Sequence, residues 1–137
     1  MARGAVTVGI PTVGTPEKRA RQTRWLGDSK NRLRSFPEEV REDIGTAIYW
    51  AQLGDKHPDA KPLSGFSGAG VLEIVENHDS DTYRAVYTVR YKEWLYILHC
   101  FQKKSKKRNE TPKPDMNLIK ERLKQAEAIE AAKTSKR

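Results

Sequence analysis

Residues 71–102 read Val71-Leu72-Glu73-Ile74-Val75-Glu76-Asn77-His78-Asp79-Ser80-Asp81-Thr82-Tyr83-Arg84-Ala85-Val86-Tyr87-Thr88-Val89-Arg90-Tyr91-Lys92-Glu93-Trp94-Leu95-Tyr96-Ile97-Leu98-His99-Cys100-Phe101-Gln102. Three runs rich in Val, Ile, Tyr and Trp, at 71–77, 82–91 and 94–102, are joined by the polar links His78-Asp79-Ser80-Asp81 and Lys92-Glu93. Branched and aromatic side chains suit the pleated surface of a strand. Links this short send the chain straight back, so neighbouring strands run antiparallel; a parallel crossover needs about a dozen residues. The stretch is a β-meander.

Upstream, Val40, Ile44, Ala47, Ile48 and Ala51 recur at helical spacing and Gly54 supplies a stop, which predicts a helix from Pro37 to about Leu53. Ser35-Phe36-Pro37-Glu38 before it fits a capping box, in which a serine hydroxyl and a glutamate three residues on satisfy free amides. Pro37 is tolerated in the first turn, where its missing N–H has no acceptor to lose. A short helical turn is expected from Ser29 to Leu33. Residues 60–70, with Pro62, Gly65, Gly68 and Gly70, read as a turn-rich loop. Residues 1–24 carry scattered Gly, Pro and Thr, then Lys18, Arg19, Arg21 and Arg24, without periodicity. They read as a flexible basic leader whose removal through residue 22 spares the core. Trp25 and Leu26 are the first core contacts.

Downstream, Thr111-Pro112-Lys113-Pro114-Asp115 opens a last helix with Met116, Ile119, Leu123 and Ala126 on one side. It is expected to fray from about Glu130, leaving 131–137 as a polar tail. The order predicts an α+β fold, a small antiparallel β-meander sheet with N-terminal helices packed on one face and a C-terminal helix. The other sheet face is expected to stay available for a ligand.

A chain of 137 residues has room for one domain with a modest core. No apolar run reaches the length of a membrane span, and the N-terminal residues lack the apolar core of a secretion signal, so the expected location is the cytoplasm. The single cysteine, Cys100, excludes an internal disulfide and any Cys-pair zinc site; within its apolar run it reads as a buried thiol. There is no Walker loop, zinc-binding spacing or nucleophile elbow, and no metal or organic cofactor is implied. The net charge of +8 concentrates polyanions around the protein, which makes RNA, DNA or an acidic protein the candidate partners.

Lys103, Lys104, Lys106, Lys107 and Arg108 crowd cations between a strand and a Pro-opened helix. Held at both ends, such a run can neutralise phosphates and stabilise charge on a transferring phosphate. Arg84 alternates to the face opposite Tyr83, Ala85 and Tyr87. A mid-strand arginine calls for a partner, which could be Glu73 or Glu76 in an ion pair, or a phosphate gripped by two N–H groups. Spacing leaves both open. His99 shares strand parity with Leu95, Ile97 and Phe101; it reads as a core or edge histidine, with proton transfer as the alternative. Lys61 lies in the loop before the sheet, within reach of a phosphate backbone.

Taken in order, Ala60-Lys61-Pro62-Leu63, residues 65–76, Tyr83-Arg84-Ala85-Val86-Tyr87, and His99 to Lys107 followed by Thr111-Pro112 resemble the phage-derived HigB-like toxins of the RelE/ParE superfamily. The resemblance covers roughly Trp25 to Ala128. It implies a toxin domain over 25–130 with a first short strand near Trp25. It also implies metal-independent cleavage of mRNA on the ribosome and neutralisation by a helix-turn-helix antitoxin. Arg84 matches by position the strand arginine that contacts the scissile phosphate, and Lys61 the loop lysine before the sheet. Lys103, Lys104 and Lys106 match the basic cluster that serves the site or ribosomal RNA. The catalytic tyrosine or histidine that relatives carry near the chain end has no counterpart by position, and His99 is the candidate for proton transfer. Two other readings fit the same residues: a ParE-like inhibitor of DNA gyrase, and a non-catalytic RNA- or ribosome-binding module.

Overall fold

The computed structural model describes residues 20–103 and 110–135. In chain order these form β1 (Gln22–Trp25), α1 (Ser29–Arg34), α2 (Glu38–Gln52), β2 (Ala60–Pro62), β3 (Val71–His78), β4 (Asp81–Thr88), β5 (Trp94–Lys103) and α3 (Lys113–Ser135). The meander is present as β3–β4–β5, antiparallel throughout, and the sheet order is β1-β5-β4-β3-β2. The β3–β4 turn places Asp79 and Ser80 at positive φ, the backbone a two-residue hairpin demands. β4 stops at Thr88 instead of running to Tyr91. There the Thr88 hydroxyl donates to the Ala69 carbonyl and accepts from the Arg90 amide, which ties the chain off.

Residue pattern alone marked neither edge strand, although the family resemblance expected the first, a short strand near Trp25, and it is there. β1 starts at Gln22, inside the expected leader, and pairs parallel with β5: the Gln22 amide donates to the Glu93 carbonyl and the Leu26 amide to that of Ile97. β2, at Ala60–Pro62, pairs with β3, and its Pro62 is tolerated because an edge strand has a side with no ladder to complete. Short, polar or proline-bearing strands carry almost no pattern of their own. Their partners create them.

α2 begins and ends within a residue of expectation, but the capping box does not form. Pro37 is the N-cap residue and offers no side-chain bond, while the Ser35 hydroxyl turns back to the Arg32 carbonyl at 2.6 Å, closing α1. α2 buries Val40, Ile44, Ala47, Ile48 and Ala51 against Ile74, Tyr83, Ala85, Tyr87, Leu95, Ile97 and Cys100. Each large apolar side chain so removed from water contributes about 1.5–3 kcal/mol.

The second sheet face is not open. α3 lies on it, packing Ile119, Leu123 and Ala126 against Leu26, Val71, Val86, Tyr96, Leu98 and Phe101. Nor does α3 fray at Glu130. The Tyr96 hydroxyl donates to Glu130, and Trp94 holds the Lys133 ammonium and the Arg24 guanidinium, each 4.8 Å from its ring centroid. Cations over an indole ring are attracted by its π face, which anchors a turn whose composition alone is polar.

One irregularity sets what α3 meets. Val86 pairs with His99 but Tyr87 pairs with Ile97, so Leu98 is an extra residue in β5. The bulge reverses alternation: Leu95 and Ile97 face α2, whereas Leu98, His99 and Phe101 face α3. Parity counted from Leu95 therefore misplaces His99. Arg122 of α3 fastens the bulge. Its Nη1 donates to the Leu98 carbonyl at 3.0 Å, and its Nη2 donates to Asp28 at 2.9 Å, just ahead of α1. Asp28 also accepts from Arg32 at 2.8 Å, and these two hydrogen bonds hold its carboxyl down at about 2.

Gly27 makes this clamp possible: its φ is +55°, and a Cβ there would lie 2.4 Å from the Arg122 guanidinium. Gly27→Ala is expected to destabilise by roughly 1–3 kcal/mol, the cost of a left-handed non-glycine residue, and to unseat Arg122; urea denaturation beside wild type measures it, and an unchanged midpoint refutes the clamp's importance. The leader boundary is equally testable. The Arg21 amide and guanidinium donate to the Gln52 and Ala51 carbonyls at 2.7 and 3.1 Å, and Gln52 donates back at 2.8 Å. Deletion of residues 1–22 should therefore melt lower than deletion of 1–19 by roughly 2–4 kcal/mol of lost bonding. Equal melting curves would place the boundary where composition alone put it.

Candidate phosphate-binding site

Side chains of directly paired strand residues point to one side of a sheet. Lys61 of β2 pairs with Glu73 of β3, Val75 with Arg84 of β4, Arg84 with Phe101 of β5, and Thr82 with Lys103. Phe101 of this set packs toward α3, as do Val71 and Val86, two residues along their strands from Glu73 and Arg84. Lys61, Glu73, Arg84 and Lys103, drawn from four strands, therefore share the α3 side of the sheet. Lys61 is exposed and Lys103 half-buried, its ammonium donating to the Glu110 carbonyl at 2.8 Å.

Arg84 is only 3% exposed, and its Nη1 lies 3.3 Å from Glu73 Oε1. Of the two carboxylates that could pair with it, Glu73 is the partner. Glu76 faces the other side, against α2. Burial, with Asp43 and Asp59 nearby and a hydrogen bond to Asp43, raises its carboxyl above the ordinary range. The ion pair fixes the guanidinium in the interior and balances one of the charges that burial makes costly.

His99 is fully buried, with both ring nitrogens engaged. Nε2 lies 2.7 Å from Asp115 Oδ1, and Arg122 Nη1 lies 3.2 Å from Nδ1. A guanidinium only donates, so Nδ1 accepts and the proton sits on Nε2, shared with Asp115. Burial pulls its pKa below the ordinary value, against the pull of Asp115. The ring stacks on Phe101, centroids 5.0 Å apart and planes at 18°. A histidine so enclosed has no path to a proton on RNA. The structure makes it a member of a buried network, not an exposed acid or base.

Lys104, Lys106, Lys107 and Arg108 lie outside the described residues, as does the leader through residue 19. Cys100 faces α2, and burial pushes its thiol up to about 12, far from a reactive thiolate. Among the described residues no three His, Cys, Asp or Glu side chains are placed to hold a metal ion, and no helix is long and apolar enough to cross a membrane.

Sequence reasoning missed Arg122, Asp115 and Asp28. The signal was available on α3. Asp115, Ile119, Arg122 and Ala126 follow one helical stripe, and a buried cation on such a stripe requires partners. The partners are 16 to 94 residues away in sequence, beyond what periodicity reports.

Solved structures with a similar chain path include a double arginine-to-alanine mutant of the toxin RelE from E. coli in the free state, 19% identical. That match covers 59% of this chain and 81% of that one, with a TM-score of 0.43. They also include the toxin–antitoxin complex RelBE2 from Mycobacterium tuberculosis, 14% identical over 65% of this chain and 98% of that one, with a TM-score of 0.42. No curated protein matches the chain. The sequence pattern of the family described as phage-derived protein Gp49-like (DUF891) matches residues 31–124, from α1 into α3 and across the whole meander. The chain belongs to the phage-derived Gp49-like family.

Proposed function

We propose that the chain is the toxin of a type II toxin–antitoxin pair, of the HigB-like kind, and cleaves mRNA on the ribosome. The observation that carries this reading is that Lys61, Arg84 and Lys103 share one side of the sheet, with β5 leading in sequence to the cations at 103–108. Cationic side chains held by a sheet can neutralise a phosphate backbone without reorganising when substrate arrives. The chemistry is attack by the RNA's own 2′-oxygen on the adjacent phosphorus. The 2′-hydroxyl loses its proton, the new O–P bond forms, and the bond to the 5′-oxygen breaks as that oxygen takes a proton. Products carry a 2′,3′-cyclic phosphate and a 5′-hydroxyl. Lys103 and Lys104 stabilise the crowded phosphorus. Arg84 acts from the interior through its pair with Glu73, by fixing the strands that carry them. Lys61 and Lys106 to Arg108 hold flanking phosphates, and a lysine transfers the proton. A helix-turn-helix antitoxin neutralises the activity, which belongs in the cytoplasm.

Expression should arrest growth, and primer extension on translating ribosomes should map new message ends that co-expressed antitoxin abolishes. Lys61→Ala with Lys103→Ala should reduce cleavage roughly 100-fold with little change in melting. Arg84→Ala alone is a poor test, because stranding buried Glu73 costs about 3–5 kcal/mol. Arg84→Ala with Glu73→Gln should recover most of the melting temperature and none of the cleavage. Wild-type cleavage by that double variant would falsify the role given to Arg84. Growth arrest with intact message and gyrase-dependent DNA breaks would move the chain to the gyrase-inhibiting branch. Ribosome binding without cleavage would make it a non-catalytic module.

A further inference from the structure

RNA cleavage at the surface cations leaves the buried network around His99 without a role. Its geometry leads directly to the site. On the α3 side of β5, His99, Phe101 and Lys103 follow one another at two-residue spacing beyond the bulge. The His99 ring lies parallel to that of Phe101, and Phe101 is the cross-strand partner of Arg84. Behind the imidazole stand Asp115 and Arg122 of α3, with Asp28 and Arg32 completing the chain of charges from the α1 side. From β4 it faces Val86, with Arg84 two residues along as that strand's charged group on this side.

We infer that His99 is a positioning residue for the phosphate site: neutral, with its proton on Nε2, it holds Phe101 in register against Arg84 and Lys103. The inference rests on the nuclease reading above. A second proton can enter only at Nδ1, which now accepts from Arg122. Protonation would turn that acceptor into a donor facing a donor and set a cation against the guanidinium. The imidazole would have to leave its place, and the Phe101 ring stacked on it would lose its support. Burial already depresses the basicity of this ring. The neutral form and its packing are therefore intact above the ordinary histidine value of about 6.5, and are lost as pH falls through the lower folded value.

The test is cleavage of a defined message by the full-length protein on programmed ribosomes across pH 5 to 8, with kcat and KM separated. Nitrogen-15 spectra of the histidines accompany it. Wild type should show an acid limb in kcat with KM nearly constant, and His99 should appear as the Nε2–H tautomer at neutral pH. His99→Gln, which can still accept from Arg122 but cannot titrate, should lower kcat roughly tenfold at neutral pH and lack the acid limb. Asp115→Asn, which keeps an acceptor oxygen for Nε2–H, should retain most of the activity and shift the limb to lower pH. An acid limb unchanged in His99→Gln, or an imidazolium or Nδ1–H tautomer at neutral pH, would overturn the inference while leaving cleavage itself standing. Absence of wild-type cleavage at every pH would overturn the nuclease reading, and the positioning role with it.

Discussion

The guanidinium of Arg122 ties together three parts of the chain that are far apart in sequence. From α3 it reaches the bulge of β5 through the Leu98 carbonyl, the imidazole of His99, and the carboxylate of Asp28 before α1. A β-bulge leaves a backbone carbonyl out of the ladder, and an interior carbonyl without a donor is costly. Arg122 supplies that donor, so the irregular strand and the buried cation satisfy one another. The parity change that puts His99, Phe101 and Lys103 on the same side as Arg84 depends on the bulge. Gly27 is drawn in as well, because only a residue without a side chain leaves room for the guanidinium at that turn.

The readable parts of the fold were those whose information is local. The meander and α2 carry their periodicity within about fifteen residues, and both stand where pattern placed them. The edge strands do not. Gln22-Thr23-Arg24-Trp25 and Ala60-Lys61-Pro62 become strands only because β5 and β3 offer them a free ladder. The second sheet face illustrates another limit. The apolar stripe of α3 was visible, but periodicity says only that a helix has a face to bury and not which surface receives it. Polar Glu130 and Lys133 suggested fraying because their partners, Tyr96 and Trp94, are on another element.

The candidate site divides along the same line. That Arg84 needs a carboxylate or a phosphate followed from its strand position, and the structure supplies Glu73. His99 is the core histidine expected, but its face was misplaced for a definite reason. Simple alternation placed it with Leu95 and Ile97, and a single extra residue moved it to the other side of the sheet. No composition or spacing rule signals a bulge at Leu98. The nearest hint is the charged pair Asp115 and Arg122 on an otherwise apolar helix stripe.

The two layers flanking the sheet are chemically unlike, and this bears on what each can do. Toward α2 the strands present Ile74, Ala85, Leu95, Ile97, Cys100 and two tyrosines. Toward α3 they present, beside apolar neighbours, the buried polar side chains of Glu73, Thr82, Arg84, Thr88 and His99. Buried ion pairs return little net stability, because desolvation cancels most of the attraction. Stability is therefore carried mainly by the apolar burial in both layers, against α2 and among the apolar residues under α3, where contact is undirected. The α3 layer adds direction: each bond requires one geometry, and together they fix the end of β5 relative to β4 and the start of α3. A site that works by placing cations against a phosphate needs that kind of order more than it needs additional stability. The polar layer lies on the same side of the sheet as Lys61 and Lys103, where that order can be used.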